Sequence, residues 1–122
     1  MVNEKNETGN IQISDNAIAN IAAIAAKSIN GVVDLDGGAV SGIADMLGVK
    51  NETKGIKVEL RGENVAVDIN LIVAFGNDIS NIASLVQEKV KESIENMTGL
   101  NVEKVNVNIN SIKNNIKKEE KK

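Results

Sequence analysis

Residues 56–73 read IKVELRGENVAVDINLIV, two runs of alternating apolar and polar side chains joined at a glycine. A period of two is typical of a β-strand with one buried face, so the pattern predicts two strands and a hairpin. Gly62 and Glu63 suit a two-residue turn of type II′, in which glycine takes the first central position. This register puts the large apolar side chains on one face. The predicted cross-strand pairs are Leu60 with Val65, Val58 with Val67, Ile56 with Ile69, and Lys57 with Asp68.

One helix is predicted before the hairpin and one after it. Ser14 can cap the first helix, because its hydroxyl can accept a backbone N–H, and apolar residues then recur at helical spacing up to a predicted end at Gly31. Asp78 can cap the second helix, which closes at Thr98 and Gly99. The apolar positions of the second helix form one continuous stripe: Ile79, Ile82, Leu85, Val86, Val90, Ile94 and Met97.

Shorter alternating segments complete the pattern. Ile11 and Ile13 indicate a first strand, and residues 31–35 indicate another. A final strand has one apolar and one polar face, with Val105, Val107 and Ile109 opposite Lys104, Asn106, Asn108 and Asn110. Together these elements predict an α+β fold, in which two main helices pack on one face of a four- to five-stranded, mostly antiparallel sheet. The opposite face of the sheet is expected to be partly open.

A short helical insert is predicted near residues 40–47. Val40, Ile43, Ala44 and Leu47 share one face of this segment. Two helical turns are marginal in isolation, so the insert must pack against another surface. Two interpretations stay open: the insert packs against the core of its own chain, or its apolar face binds another molecule.

Composition indicates one domain in a reducing compartment. A chain of 122 residues can build one core, and without cysteine it forms no disulfide. We predict a flexible N-terminus at 1–8, a single folded domain at 9–112 and a disordered lysine-rich tail at 113–122. No segment has the ~18 consecutive apolar residues of a membrane span, and no signal sequence is visible. We therefore expect a cytoplasmic protein, associated with a membrane through a partner if at all.

Charge and aromatic content disfavour nucleic acid as a partner. The tail holds five lysines against two glutamates, a charge of +3, so the other 112 residues carry −6 of the chain's total of −3. Affinity for phosphate backbones comes mainly from Lys and Arg, and base stacking needs aromatic side chains. Phe75 is the only aromatic residue, and we expect it in the core or at a strand end. The tail lysines are expected in solvent, with weak attraction to anionic lipid or an acidic partner as the alternative.

The side chains that most catalytic and metal sites use are missing. Histidine and cysteine are absent, which removes the commonest general base, the commonest metal ligand and the best nucleophile. Asp34 and Asp36 could begin a calcium loop, but its sixth position is Ala39 and not glycine, so we interpret them as turn residues. The glycine cluster at 37–42 lacks the Lys-Ser/Thr of a phosphate loop. We expect no catalytic, metal or cofactor site.

Several short runs occur in an order that is specific in combination. They are Gly31-Val32-Val33, Gly37-Gly38 with Gly48, Lys54-Gly55-Ile56-Lys57-Val58, Val67-Asp68-Ile69, Phe75-Gly76, Val86-Gln87 with Val90-Lys91, Met97-Thr98-Gly99-Leu100 and Val105-Asn106-Val107. From Gly9 to Ile112 this combination resembles the alkaline-shock, or general-stress, family of Gram-positive bacteria. Phe75 departs from the family, which commonly has tyrosine at that position.

The resemblance implies a non-catalytic protein of the cell-envelope or alkaline stress response. Some members are held near the membrane by a separate small anchor protein, and others are encoded beside acetyl-CoA carboxylase genes. We therefore expect the partner to be a membrane anchor protein, an acetyl-CoA carboxylase component in a regulatory role, or a second copy in a homo-oligomer. The candidate interaction surface consists of Val40, Ile43, Ala44, Leu47, Asn106, Asn108 and Asn110.

Overall fold

A computed structural model describes residues 2–6, 9–37 and 54–114. The elements in chain order are β1 (Val2–Asn6), β2 (Gly9–Ile13), α1 (Asp15–Lys27), β3 (Val32–Leu35), β4 (Ile56–Arg61), β5 (Asn64–Ala74), α2 (Ile79–Thr98) and β6 (Asn101–Lys113). β1 and β2 form a two-stranded antiparallel sheet of their own, and the other four strands form the main sheet. The sequence pattern predicts β2 but not its partner β1. The predicted insert at 40–47 lies outside the described residues.

Strand β5 lies at the centre of the main sheet. β6 runs parallel to β5 along its length on one side, while β4 and β3 pair antiparallel with successive segments of its other edge. Asn70 marks the point where β4 and β3 meet: its N–H donates to the Gly55 carbonyl, and its carbonyl accepts from the Asp36 N–H, both at 2.9 Å. The predicted α+β fold with a mostly antiparallel sheet is confirmed.

The β4–β5 hairpin has the predicted two-residue register. Gly62 has a φ of 63°, whereas Glu63 has a negative φ, which is the combination that a type II′ turn requires. The opposed residues are those named above: Leu60 with Val65, Val58 with Val67, Ile56 with Ile69, and Lys57 with Asp68.

Each helix begins at its predicted cap. The Ser14 hydroxyl accepts from the N–H of Ala17 at 3.1 Å, and the Asp78 carboxylate accepts from that of Asn81 at 3.2 Å. These bonds satisfy N–H groups of the first turn, which have no partner within the helix. α2 is closed by Gly99, whose φ of 78° lies in the left-handed region that favours glycine.

Two predicted details of the helices are wrong. α1 ends at Lys27 and not at Gly31, because tighter hydrogen bonds of the i to i−3 type follow Lys27. In α2, the predicted stripe is too wide, because Leu85 and Met97 are 42% and 70% exposed. The buried positions of α2 recur at every fourth residue: Ile82, Val86, Val90 and Ile94.

The core lies between the two helices and the inner faces of β5 and β6. The apolar residues of β6 do not alternate strictly, since residue 105 is three positions after 102 and residue 112 is three positions after 109. Two register shifts, which are β-bulges, bring them back into phase with the buried residues of β5. The matched pairs are Val65 with Val102, Val67 with Val105, Ile69 with Val107, Leu71 with Ile109, and Val73 with Ile112.

Candidate interaction surface

The face of the main sheet that points away from the helices is open in the described part of the chain, and we call it the outer face. Helices α1 and α2 pack on the inner face, where the core residues lie. The outer face carries mostly polar and small side chains, with Ile72 as an apolar exception, and all are exposed or half-buried. They are Lys57, Glu59, Arg61, Asn64, Ala66, Asp68, Asn70, Ile72, Ala74, Asn101, Lys104, Asn106, Asn108, Asn110, Ser111 and Lys113.

Cross-strand hydrogen bonds hold the asparagine side chains of β6, and we call this set the amide ladder. In each bond the Nδ2 of an asparagine on β6 donates to a side-chain oxygen on another segment. The four bonds are Asn101 to Asn64 at 2.9 Å, Asn106 to Asp68 at 2.7 Å, Asn108 to Asn70 at 3.1 Å, and Asn110 to Asp36 at 3.3 Å. The outer face is therefore ordered by its own side chains.

The parallel register of β5 and β6 creates the amide ladder. It places Asn64 beside Asn101, Asp68 beside Asn106 and Asn70 beside Asn108. The sequence pattern indicates the asparagines of β6 but not their partners, because local patterns do not show which strands are neighbours. The available signal was the recurrence of Asn and Asp at outward positions of the two longest strands.

Opposite charges alternate on the β4 side of the outer face. The guanidinium of Arg61 donates to the Glu59 carboxylate at 2.8 Å, and this hydrogen bond raises the pKa of Arg61 above its ordinary value. Two adjoining shallow hollows lie over the small side chain of Ala66, between these charges. The other residues around them are Lys57, Val58, Glu59, Arg61, Asn64, Asp68, Glu103, Lys104 and Asn106. The surface thus offers donors and acceptors of both signs.

The structure brings together only part of the predicted surface. Asn106, Asn108 and Asn110 lie together on the outer face, whereas Val40, Ile43, Ala44 and Leu47 are outside the described residues. Phe75 follows the end of β5 and is 65% exposed, which matches the strand-end interpretation. Ile24 on α1 is 73% exposed, an apolar surface residue outside the predicted interaction surface.

Asp34 is bound by cationic and backbone groups. Its carboxylate accepts from the Leu35 N–H at 2.8 Å and lies 3.3 Å from the Lys54 Nζ and 4.0 Å from the Lys27 Nζ. The predicted turn position is wrong for Asp34, which lies in β3 and pairs with Ile72 of β5. The two lysines and the Leu35 N–H account for its carboxylate as part of a charged cluster at the sheet edge. Within residues 2–6, 9–37 and 54–114, no three acidic side chains form a group that could hold a metal ion.

Three side chains of α2 bind the backbone at the start of β6, and we call them the edge clamp: Gln87, Lys91 and Glu95. Glu95 accepts from the Val102 N–H at 2.9 Å and from the Lys91 Nζ at 3.2 Å. Lys91 also donates to the Val102 carbonyl at 3.2 Å, and Gln87 donates to the Val105 carbonyl at 3.0 Å. The bond from Val102 first, and that from Lys91 second, lower the pKa of Glu95 below its ordinary value.

The edge clamp predicts a pH dependence of stability. Since the folded pKa of Glu95 lies below its ordinary value of 4.5, its charge stabilises the fold at neutral pH. That contribution is lost as the pH falls below 4.5 through the folded pKa. Glu95→Gln keeps an oxygen acceptor but removes the charge. We expect the variant to be less stable than the wild type at neutral pH, with a difference that shrinks on acidification.

Urea denaturation across this pH range measures the effect. Glu92→Gln is the matched control, because Glu92 is an exposed glutamate of the same helix. If the difference in the free energy of unfolding between the wild type and Glu95→Gln stays constant on acidification, the charge of Glu95 does not have the stabilising role proposed for it.

Comparison with known proteins identifies the family. Residues 3–114 match the model of the alkaline-shock protein 23 family, which is described as having a cell envelope-related function. The chain belongs to this family. The resemblance to alkaline-shock and general-stress proteins that the sequence indicated is thereby confirmed.

Relatives of the alkaline-shock protein 23 family occur in Gram-positive bacteria. The chain is 32% identical to the uncharacterised protein YqhY of Bacillus subtilis, over 98% of this chain and 89% of that one. It is 33% identical to YloU of the same organism, over 86% and 89% of the two chains. It is also 27% identical to a stress response regulator gls24 homolog of Streptococcus pyogenes, over 86% of this chain and 59% of the longer relative.

Neither α1 nor α2 of this family member has the character of a membrane span. α2 is the longer one, with 20 residues, and it carries five charged side chains: Glu88, Lys89, Lys91, Glu92 and Glu95. Among the described residues, no helix is long and apolar enough to cross a bilayer.

Proposed function

We propose that this chain is a non-catalytic interaction protein of the envelope stress response, which docks a partner protein on the outer face of its sheet. The amide ladder carries the proposal, because it orders polar side chains on a face that neither helix covers. Polar groups that are ordered before binding lose less conformational entropy on association. The family's cell envelope-related function supplies the biological setting.

The charges of the outer face favour a protein partner over a nucleic acid. On the described strands, the cations of this face are Lys57, Arg61, Lys104 and Lys113. Arg61 is bound to Glu59, and Lys57 lies opposite Asp68. A phosphate backbone selects a continuous positive surface, and bases select aromatic platforms. Amide groups with both signs of charge instead match the polar surface of a protein.

We further propose that the partner is a membrane anchor protein. Anchoring would bring a protein whose described helices cannot span a bilayer to the envelope in which its family functions. Regulation of acetyl-CoA carboxylase is the alternative, and the same experiment separates the two, because an anchor is recovered from membranes and the carboxylase from the soluble fraction.

The test is partner recovery after gentle cross-linking in cells, followed by mass spectrometry of separated membrane and soluble fractions. Ala66→Lys and Asn106→Lys each place a long cation in the middle of the outer face. We expect each to lower the recovery of a membrane partner by roughly tenfold, the effect of ~1.4 kcal/mol of binding free energy.

Asn96→Lys is the matched control, since it adds the same charge at an exposed asparagine of α2. All three variants should unfold at wild-type denaturant concentrations, which separates lost binding from lost folding. Equal recovery with the outer-face variants and the control would refute the outer face as the docking surface. Recovery of carboxylase components alone would refute the anchor.

A further inference from the structure

One edge of β6 has no strand beside it among the described residues. β6 is 13 residues long and pairs only with β5 in that part of the chain. A strand that is paired on one side turns half of its N–H and C=O groups toward the other side. Such an edge is a template for another strand unless charges, bulges or covering side chains protect it.

The edge clamp protects only the first part of this edge. Its contacts reach the backbone of Val102 and Val105 and extend no further along β6. Residues 105–112 read VNVNINSI and contain no charge, proline or glycine. The second half of the edge holds the bulge at Asn110, but it has neither a charge nor a contact from the edge clamp to keep another strand from pairing.

Two contacts show which backbone groups face the free edge. The Val105 carbonyl binds the clamp and so points away from β5, and residues two apart in a strand point the same way. Val107 and Ile109 therefore face the free edge as well. At the far end the Lys113 carbonyl accepts from the Phe75 N–H and points toward β5, so Ile112 also faces outward.

We infer that this free edge pairs with the same edge of a second copy of the chain, antiparallel about a twofold axis at Asn108. The register places Val107 across from Ile109 of the second copy. When the extra residue Asn110 of the second bulge is counted, Val105 lies across from Ile112. On the outer face, Asn108 meets Asn108 of the second copy and extends the amide ladder across the axis.

The strand that pairs with this edge is β6 of a second copy, because β6 is complementary to itself. Antiparallel pairing of two identical strands puts apolar side chains against apolar ones on the inner face, and amide against amide on the outer face. Ile112, which is 49% exposed, gains an apolar neighbour in this arrangement. At each end of the pair, Lys104 of one copy approaches Lys113 of the other, and both are exposed. Apolar contacts at the centre therefore favour the pairing, and charge repulsion at the ends opposes it.

This inference goes beyond the proposed function, because it concerns the edge of the sheet and not its outer face. The dimer can be tested on the purified chain without a partner. If the chain stays monomeric but still recovers its membrane partner, the dimer is refuted and the docking proposal stands.

Sedimentation velocity of the purified chain, from about 1 µM to about 1 mM, tests the dimer. We expect a reversible, concentration-dependent dimer in the wild type. Val107→Pro removes an N–H that faces the free edge and should leave a monomer, while the pairing with β5 is kept. Ile112→Lys should weaken association by roughly tenfold or more, because the dimer contains two such sites.

Ile24→Lys is the matched control, since it makes the same substitution at an exposed isoleucine on α1. It should leave the dimer unchanged, whereas Lys113→Glu should tighten it by removing the repulsion from Lys104. Slower amide hydrogen exchange at Val107 and Ile109 at high concentration should report the new bonds directly. A wild type that stays monomeric throughout, a dimer that survives Val107→Pro, or equal effects of the two isoleucine variants would overturn the inference.

Discussion

Ile94→Ala is expected to lower the free energy of unfolding by about 2–5 kcal/mol, whereas Met97→Ala changes it by less than about 0.5 kcal/mol. The two residues lie three positions apart on α2 and belong to the same predicted apolar stripe. Ile94 is fully buried and Met97 is 70% exposed. Truncating Ile94 therefore leaves a cavity in close-packed surroundings, while truncating Met97 removes atoms that water already contacts.

Guanidinium denaturation of the two variants measures this difference. Similar losses of stability would mean that Met97 is covered in the folded protein and that the stripe is as wide as the sequence suggests. Because both changes replace an apolar residue by alanine within one helix, differences in helix propensity are small beside the cavity effect.

Gly55→Ala is expected to lower the free energy of unfolding by about 2–5 kcal/mol, at the point where β3 and β4 meet. A Cβ on Gly55 would lie 2.7 Å from the Asp36 carbonyl oxygen, a backbone atom that a side-chain rotation cannot move away. Gly55 also has a φ of 80°, which costs other residues about 1–2 kcal/mol. Overpacking adds about 1–3 kcal/mol.

Gly99→Ala separates the two contributions. Gly99 has a φ of 78°, close to that of Gly55, but a Cβ there meets no heavy atom within 4 Å. This control should lose only the conformational part, about 1–2 kcal/mol. If denaturation shows that both variants lose the same free energy of unfolding, the backbone of Asp36 moves aside and the β3–β4 junction can adjust to an added Cβ.

The proposed docking surface and the proposed dimer use different parts of the main sheet. The outer face presents the amide ladder, and the β6 edge presents backbone groups beside Val107 and Ile109. Pairing two copies at this edge would join their outer faces into one wider surface. A dimer would then offer two docking sites to a membrane-bound partner, which strengthens attachment when both sites are engaged.

Most of the local structure was predictable from sequence. The β4–β5 register followed from period-two alternation around Gly62, because only one turn length keeps the apolar side chains on one face. The caps at Ser14 and Asp78 followed from side chains that satisfy helix N–H groups. These features depend on residues close together in the chain, and composition likewise excluded histidine and cysteine chemistry outright.

The tertiary structure decided how these pieces meet. The sequence showed asparagines on one face of the last strand, but only the parallel pairing of β5 with β6 revealed that Asp68 and Asn70 hold Asn106 and Asn108. It also decided that Met97 is exposed, because the width of a buried stripe depends on what packs against the helix. Strand order and burial arise from contacts between residues far apart in sequence. The periodicity of a segment therefore determined which of its side chains share one face. Only the folded chain determined which element packs against that face.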